Sequence, residues 1–332
     1  MVSSDQVLAL VQSHSERDDS QFYSVAMQVA AREARAGREK FAQELRDLVD
    51  QVRVSAPPTP KISPVVPLIQ PRGEVASLLS VSYPTNRLAD LVLSSGVKEQ
   101  INGLLLEQRQ RQTLAQYGLS PSRRVLMIGP PGTGKTSTAY VVAGELGLPL
   151  FVIRFDALIT KFMGETAAKL RLIFDELAQT RGVYLFDEVD ALAGDRGMSN
   201  DVGEIRRVLN SFLQFLESDT SDSLVMAATN HPGLLDHAIY RRFDLVIRYP
   251  LPDNEAVEQI ICNRLASFKL NGLAWPSVVD AAAGLSQAEI CVASEIAAKK
   301  AVLSGSDVIS TGSLVSALAE RPRKSPTIVG GQ

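Results

Sequence analysis

Eight consecutive residues, Gly129-Pro-Pro-Gly-Thr-Gly134-Lys135-Thr136, bring three glycines, an ammonium and a hydroxyl within reach of one polyphosphate. Glycines let such a loop wrap phosphates with its backbone N–H groups, and a helix starting at its end adds a favourable dipole. The apolar run Val125-Leu-Met-Ile128 precedes the loop and a helical pattern from Thr138 to Leu146 follows it, which is the strand–loop–helix setting of a P-loop. Lys135 is expected to hold the β- and γ-phosphates of ATP, and Thr136 to ligate Mg²⁺. Gly129, Pro130, Pro131, Gly132, Thr133, Gly134 and Ser137 complete the nucleotide-binding stretch. A second group follows Val183-Tyr-Leu-Phe186, a buried-strand pattern that delivers Asp187 and Glu188 to its carboxyl tip. There Asp187 would orient the metal and Glu188 would act as general base toward the attacking water.

Such groups need a rigid frame, and the pattern of the chain supplies one. Short apolar runs at Arg124–Ile128, Leu150–Phe155, Gly182–Phe186, Leu224–Ala228 and Leu245–Tyr249 alternate with amphipathic helices. That alternation predicts an α/β fold, a parallel five-stranded P-loop sheet with helices on both faces. After Pro250-Leu-Pro252 only helical patterns remain, to about Ala319, so a small all-helical lid domain is expected. The expected divisions are an N-terminal helical segment over 1–53, a Pro-rich linker over 54–84, the large ATPase domain over 85–252, the lid over 253–320 and a disordered tail over 321–332. Six of the 17 prolines fall between Pro57 and Pro71, a composition that favours a semi-rigid tether over a packed core.

The glycine loop and Asp187-Glu188 resemble the Walker motifs of AAA proteins, within the AAA+ superfamily, and the resemblance continues for about 240 residues. Ala227-Ala-Thr-Asn230 resembles the sensor-1 strand, which implies that Asn230 positions the attacking water. The stretch from Leu235 to Asp244 resembles the second region of homology of the AAA clade. It implies that Arg241, Arg242 or both reach the γ-phosphate of a neighbouring subunit; many relatives space two arginines three apart, whereas here they are adjacent. Ala282–Ile290 resembles the lid signature Gly-x-Ser-Gly-Ala-Asp, with Gln287 in place of Gly and Glu289 in place of Asp. It implies adenine contact by Gly284 and Ala288, or a structural role in which Ser286 caps a helix and Glu289 completes a capping box. Leu88–Val92 followed by Gly96-Val-Lys98 resembles the opening strand and helix that flank adenine, which points to Leu91 and Val92. Lys161-Phe162-Met163-Gly-Glu165 resembles the first pore loop of AAA unfoldases, implying that Phe162 and Met163 contact a threaded polypeptide. The Gly-rich segment Ala193–Gly203 stands where such proteins carry a second pore loop, though its composition is equally that of any mobile loop.

The resemblance implies a ring ATPase, a homo-oligomer and hexameric, that remodels or unfolds protein substrates, with a separate protease among the candidate partners. A short helical piece, a linker and one AAA module together resemble the layout of spastin- and katanin-like remodellers. Two other readings stay open: a nucleotide-controlled assembly scaffold, and a DNA-acting loader, which would call for a basic channel. The net charge of −3 advertises neither nucleic acid nor anionic membrane. No run reaches the roughly 20 apolar residues of a membrane helix, and acidic residues interrupt the first apolar runs, so a cytoplasmic protein is expected. Cys262 and Cys291 lie in apolar, helical contexts that suit buried thiols.

Overall fold

Strands that are apolar on both faces need cover on both faces, and this requirement organises the fold. The structure, a computed structural model, describes residues 73–158, 163–192, 202–234 and 237–323, together with Val29, Ala30, Arg38, Lys40 and Gln43. The chain divides into two units, 1–68 and 69–332. In the first, Val29, Ala30, Lys40 and Gln43 are helical; the rest of the expected helical segment, and residues 54–72 of the expected linker, lie outside the described residues.

The second unit holds a sheet of six strands: β1 (Leu79–Ser82), β2 (Arg124–Ile128), β3 (Leu150–Ile153), β4 (Val183–Phe186), β5 (Leu224–Thr229) and β6 (Leu245–Arg248). Their spatial order is β1-β3-β4-β5-β2-β6. The five expected strands pair in parallel, and β1 joins the edge antiparallel to β3, with Leu79 opposite Ile153. β1 corrects the sequence reading twice. It lies within the stretch expected to be linker, because its run of four residues beside a Pro-rich segment carries little strand signal. The expected opening strand at Leu88–Val92 is instead a 3₁₀ turn over Leu88–Asp90. Asp90 closes that turn by accepting the Arg87 amide at 2.7 Å, which an extended strand would not allow.

In β2, Val125 and Met127 face one side while Leu126 and Ile128 face the other, and all four are at most 3% exposed. Helices α1 (Ser95–Arg109) and α2 (Lys135–Leu146) cover the first side through Ile101, Leu104, Leu105, Val141 and Val142. Helices α3 (Met163–Gln179) and α4 (Val202–Ser218) cover the other, where Phe174, Phe186 and Phe212 form one aromatic cluster. Beyond β6, Pro250 and Pro252 break the chain and four helices follow: α5 (Asn254–Arg264), α6 (Trp275–Ala282), α7 (Gln287–Leu303) and α8 (Thr311–Ala319). Asp253, Ser286 and Ser310 each cap one of them by accepting a backbone N–H. Val278, Ile290, Ala297, Leu314 and Leu318 fill the lid core. Glu289 does not complete a capping box: its carboxylate is paired with Arg321 at the end of the lid.

Candidate active site

The carboxyl ends of β2, β4 and β5 open side by side, with β5 between the other two. Brought together there are the glycine loop after β2, Asp187 and Glu188 after β4, and Asn230 after β5. Parallel strands make this convergence automatic, since each delivers the residue after its last buried position to the same edge.

Between Gly129 and Lys135 the loop is fixed by close approach. A Cβ on Gly129 would lie 2.4 Å from the carbonyl oxygen of Tyr249, so only glycine fits beneath the end of β6. Gly132 has φ +79, and a Cβ there would meet Ser286 Oγ at 2.7 Å and Ala288 Cβ at 2.9 Å. The lid therefore rests on the loop, and the Ala288 amide donates to the Gly132 carbonyl at 3.0 Å. The Thr133 hydroxyl donates to the carbonyl of Pro130 at 2.8 Å and stiffens the same turn. Pro131 lies on this loop, and Ser137 follows in the first turn of α2.

Lys135 is only 6% exposed. Its ammonium donates to the carbonyls of Gly129 at 2.7 Å and Pro130 at 2.9 Å, and to Asn230 Oδ1 at 2.8 Å. A buried ammonium needs such partners, and here they aim it at the mouth of the loop. The Thr136 hydroxyl donates to Asp187 Oδ2 at 2.6 Å. Those two hard oxygen donors, from α2 and from the tip of β4, suit a magnesium ion. Asp187 Oδ1 accepts the amide of Glu188 at 3.0 Å, and the exposed Glu188 side chain has no bonding partner among the described residues. Glu188 also has φ +56, the one positive φ among the described non-glycine residues. A left-handed conformation costs such a residue about 1 kcal/mol or more, and strain of this kind collects at functional sites. Asn230 takes its main-chain bearing from Asp190, whose Oδ1 accepts the Asn230 amide at 3.4 Å.

The two adjacent arginines behave differently. Arg242 Nε lies 2.7 Å from Glu217 Oε1 on α4, whereas Arg241 is exposed and makes no hydrogen bond or ion pair among the described residues. Asp244 anchors the segment beyond them by accepting the amides of Arg123 and Arg124 and the Arg124 guanidinium. Burial would raise the Asp244 pKa; the Arg124 side chain and the two amides outweigh it and hold the carboxyl below its ordinary range.

Beside the loop lies a small open recess, with the apolar Val92, Val97, Leu251 and Ala256 and the polar Thr133 and Gln287 in its lining. Of the residues expected to flank adenine, Val92 lines it. Leu91 does not: it packs into the core beneath α1 and α2. Gly284, at φ +78, follows the end of α6 and does not border the recess, while Ala288 touches the phosphate loop. Sequence reasoning missed Tyr249, whose buried hydroxyl bonds to Thr138 Oγ1 of α2 at 2.9 Å, and Asp190, which steadies Asn230. For Asp190, the acidic run Asp187-Glu-Val-Asp190 was the available signal; for Tyr249 there was none beyond an apolar strand end. Phe162 and residues 193–201 of the second glycine-rich segment lie outside the described residues, and Met163 begins α3.

A P-loop sheet whose asparagine meets the loop's ammonium and whose aspartate meets its hydroxyl, with a helical lid seated on the loop, defines a nucleotide-binding P-loop ATPase. The model of the "ATPase family associated with various cellular activities (AAA)" matches residues 125–251. The protein described as "Uncharacterized AAA family ATPase y4kL" from Sinorhizobium fredii is 35% identical over 236 residues, 71% of either chain. This chain belongs to the AAA family and hydrolyses ATP. The ATP-dependent zinc metalloprotease FtsH of Helicobacter pylori is 30% identical over 228 residues, covering 66% of this chain and 36% of that protein. Protein SAV of Sulfolobus acidocaldarius is 38% identical over 187 residues, 54% of this chain and 24% of that protein. The chain thus spans well under half the length of those two relatives. The crystal structure of the FIGL-1 AAA domain superposes with a TM-score of 0.63 at 23% identity, covering 80% of this chain and 94% of that one, a likeness of fold. Among the described residues no helix is long and apolar enough to cross a membrane.

Proposed function

We propose that this protein is a magnesium-dependent ring ATPase, a homo-oligomer and hexameric, that remodels or unfolds protein substrates by drawing them through a central pore. Lys135 and the N–H groups of the loop bind the β- and γ-phosphates, and Thr136 and Asp187 hold the metal. Magnesium, when bound, supplies charge neutralisation to the phosphate oxygens. Glu188 takes the proton of the attacking water, and Asn230, held by Lys135 and Asp190, orients that water. Arg241 serves as the finger in trans. The observation that carries this part is its freedom: an exposed guanidinium without a partner among the described residues stands beside an arginine already committed to Glu217. Val92 belongs to the base-binding recess and Ala288 to the lid element seated on the phosphate loop.

The remodelling part is supported by the likeness to FtsH, an ATP-dependent zinc metalloprotease, over 228 residues. Phe162, just ahead of α3 in the sequence, and Met163, the first residue of α3, supply the grip, because an aromatic–aliphatic pair contacts any polypeptide without reading its sequence. Such an enzyme works in the cytoplasm, and a separate protease could take its product. Phe162→Ala tests the grip. Basal ATPase should stay within a few-fold and the melting temperature should hold, while stimulation by an unfolded polypeptide disappears. If Phe162 is a core residue, the same change costs about 3–5 kcal/mol, and melting temperature and ATPase fall together.

A further inference from the structure

Nothing in the P-loop or the acid pair accounts for the carboxamide of Gln287. It is the first residue of α7, on the lid, and it lines the recess beside the loop. Its Oε1 stands 3.5 Å from where a Cβ on Gly134 would lie. The other polar side chains around the recess are mostly engaged: Asp253 Oδ1 accepts the Ala256 amide, and the Thr133 hydroxyl donates to Pro130. Gln287 makes no hydrogen bond among the described residues although it is half-buried. Ser94 is also uncommitted, but Gln287 is the one found beside the loop glycine.

The layout of the recess says what such a group would meet. Its apolar part, at Val92, Val97, Leu251 and Ala256, suits a flat base, and the loop suits phosphates. The segment of a nucleotide that joins the two is the sugar, and Gln287 sits at that junction. A carboxamide both donates and accepts, which matches the vicinal hydroxyls of a ribose.

We propose that Gln287 is a specificity-determining residue that hydrogen-bonds the ribose hydroxyls, so that the site distinguishes ribonucleotides from deoxyribonucleotides. The inference rests on the recess being the nucleoside end of the ATP site. It adds a side chain where the AAA lid signature has glycine, and it ties lid position to the sugar.

The test is equilibrium binding of ATP, 2′-deoxy-ATP and 3′-deoxy-ATP to the full chain, in the wild type and in Gln287→Ala and Gln287→Gly, with Lys135→Ala as control. The wild type should bind ATP about three- to tenfold more tightly than a deoxy analogue, the size of one net neutral hydrogen bond. Both Gln287 variants should shrink that ratio to within about twofold. Because the preference is a ratio within one protein, a partly unfolded variant still reports it. An undiminished preference in the variants, or none in the wild type, overturns the proposal. If the wild type binds no nucleotide, or Lys135→Ala binds ATP unchanged, the failure lies in the ATP site as drawn and takes the proposal with it.

Discussion

The two ends of the ATP site are built on different principles. At the phosphate end, Lys135 is already bonded to Asn230 at 2.8 Å and Thr136 to Asp187 at 2.6 Å. At the end we propose for the base, Val92, Val97, Leu251 and Ala256 offer shape and apolar surface from two stretches of chain, the second reaching into the lid. The first arrangement is preorganised, so it can act on charge that develops during reaction with little rearrangement. The second depends on lid and ATPase domain standing together, and it contributes to substrate and transition state alike. Chemistry should therefore be sensitive at one end and affinity at the other.

The sharpest way to break that contrast is at Arg241, which would complete the phosphate end from a neighbouring subunit. Arg241→Ala should lower kcat about 10³-fold or more, as removal of an arginine finger does, while Arg242→Ala should cost at most a few-fold through its half-exposed ion pair. Mixing Arg241→Ala with Lys135→Ala subunits should restore part of the activity, read as ATPase rate against mixing ratio. A monomer, shown by sedimentation, that hydrolyses ATP at a rate independent of concentration would refute the trans role. Next in size, Glu188→Gln should slow single-turnover hydrolysis by about 10²–10⁴ and leave ATP binding intact. Wild-type turnover in that variant would remove Glu188 from the mechanism. Smallest is Leu251→Ala at the base end, expected to raise KM about tenfold from lost apolar contact with kcat nearly unchanged, the mark of uniform binding. A fall in kcat as large as that of Glu188→Gln would erase the distinction between the two ends.

The same contrast explains what could be read beforehand. Charged and glycine residues at fixed spacing announce phosphate chemistry, and five strands announced themselves as apolar runs such as Val125–Ile128. The base end could not be read that way, because Val97 and Leu251 are indistinguishable by type from residues of an ordinary core. Leu91 and Val92 are neighbours in the chain, yet one packs inward and the other lines the recess, a difference set by the 3₁₀ turn just before them. Edge strand β1 escaped notice because its partner, β3, lies some 70 residues away and pairing at that distance leaves no local trace. Arg241 and Arg242 looked equivalent until the position of Glu217 on α4 separated them.

The contact between Ala288 and Gly132 has a thermodynamic corollary. The peptide that donates from the lid and the peptide that accepts in the loop belong to one hydrogen bond, so neither domain can change its seating without the other registering it. Linkage is reciprocal: if filling the loop shifts the lid, then an outside force or a protein that shifts the lid must change affinity for the nucleotide by the same factor. A partner that never touches ATP could in this way set when the molecule lets go of it.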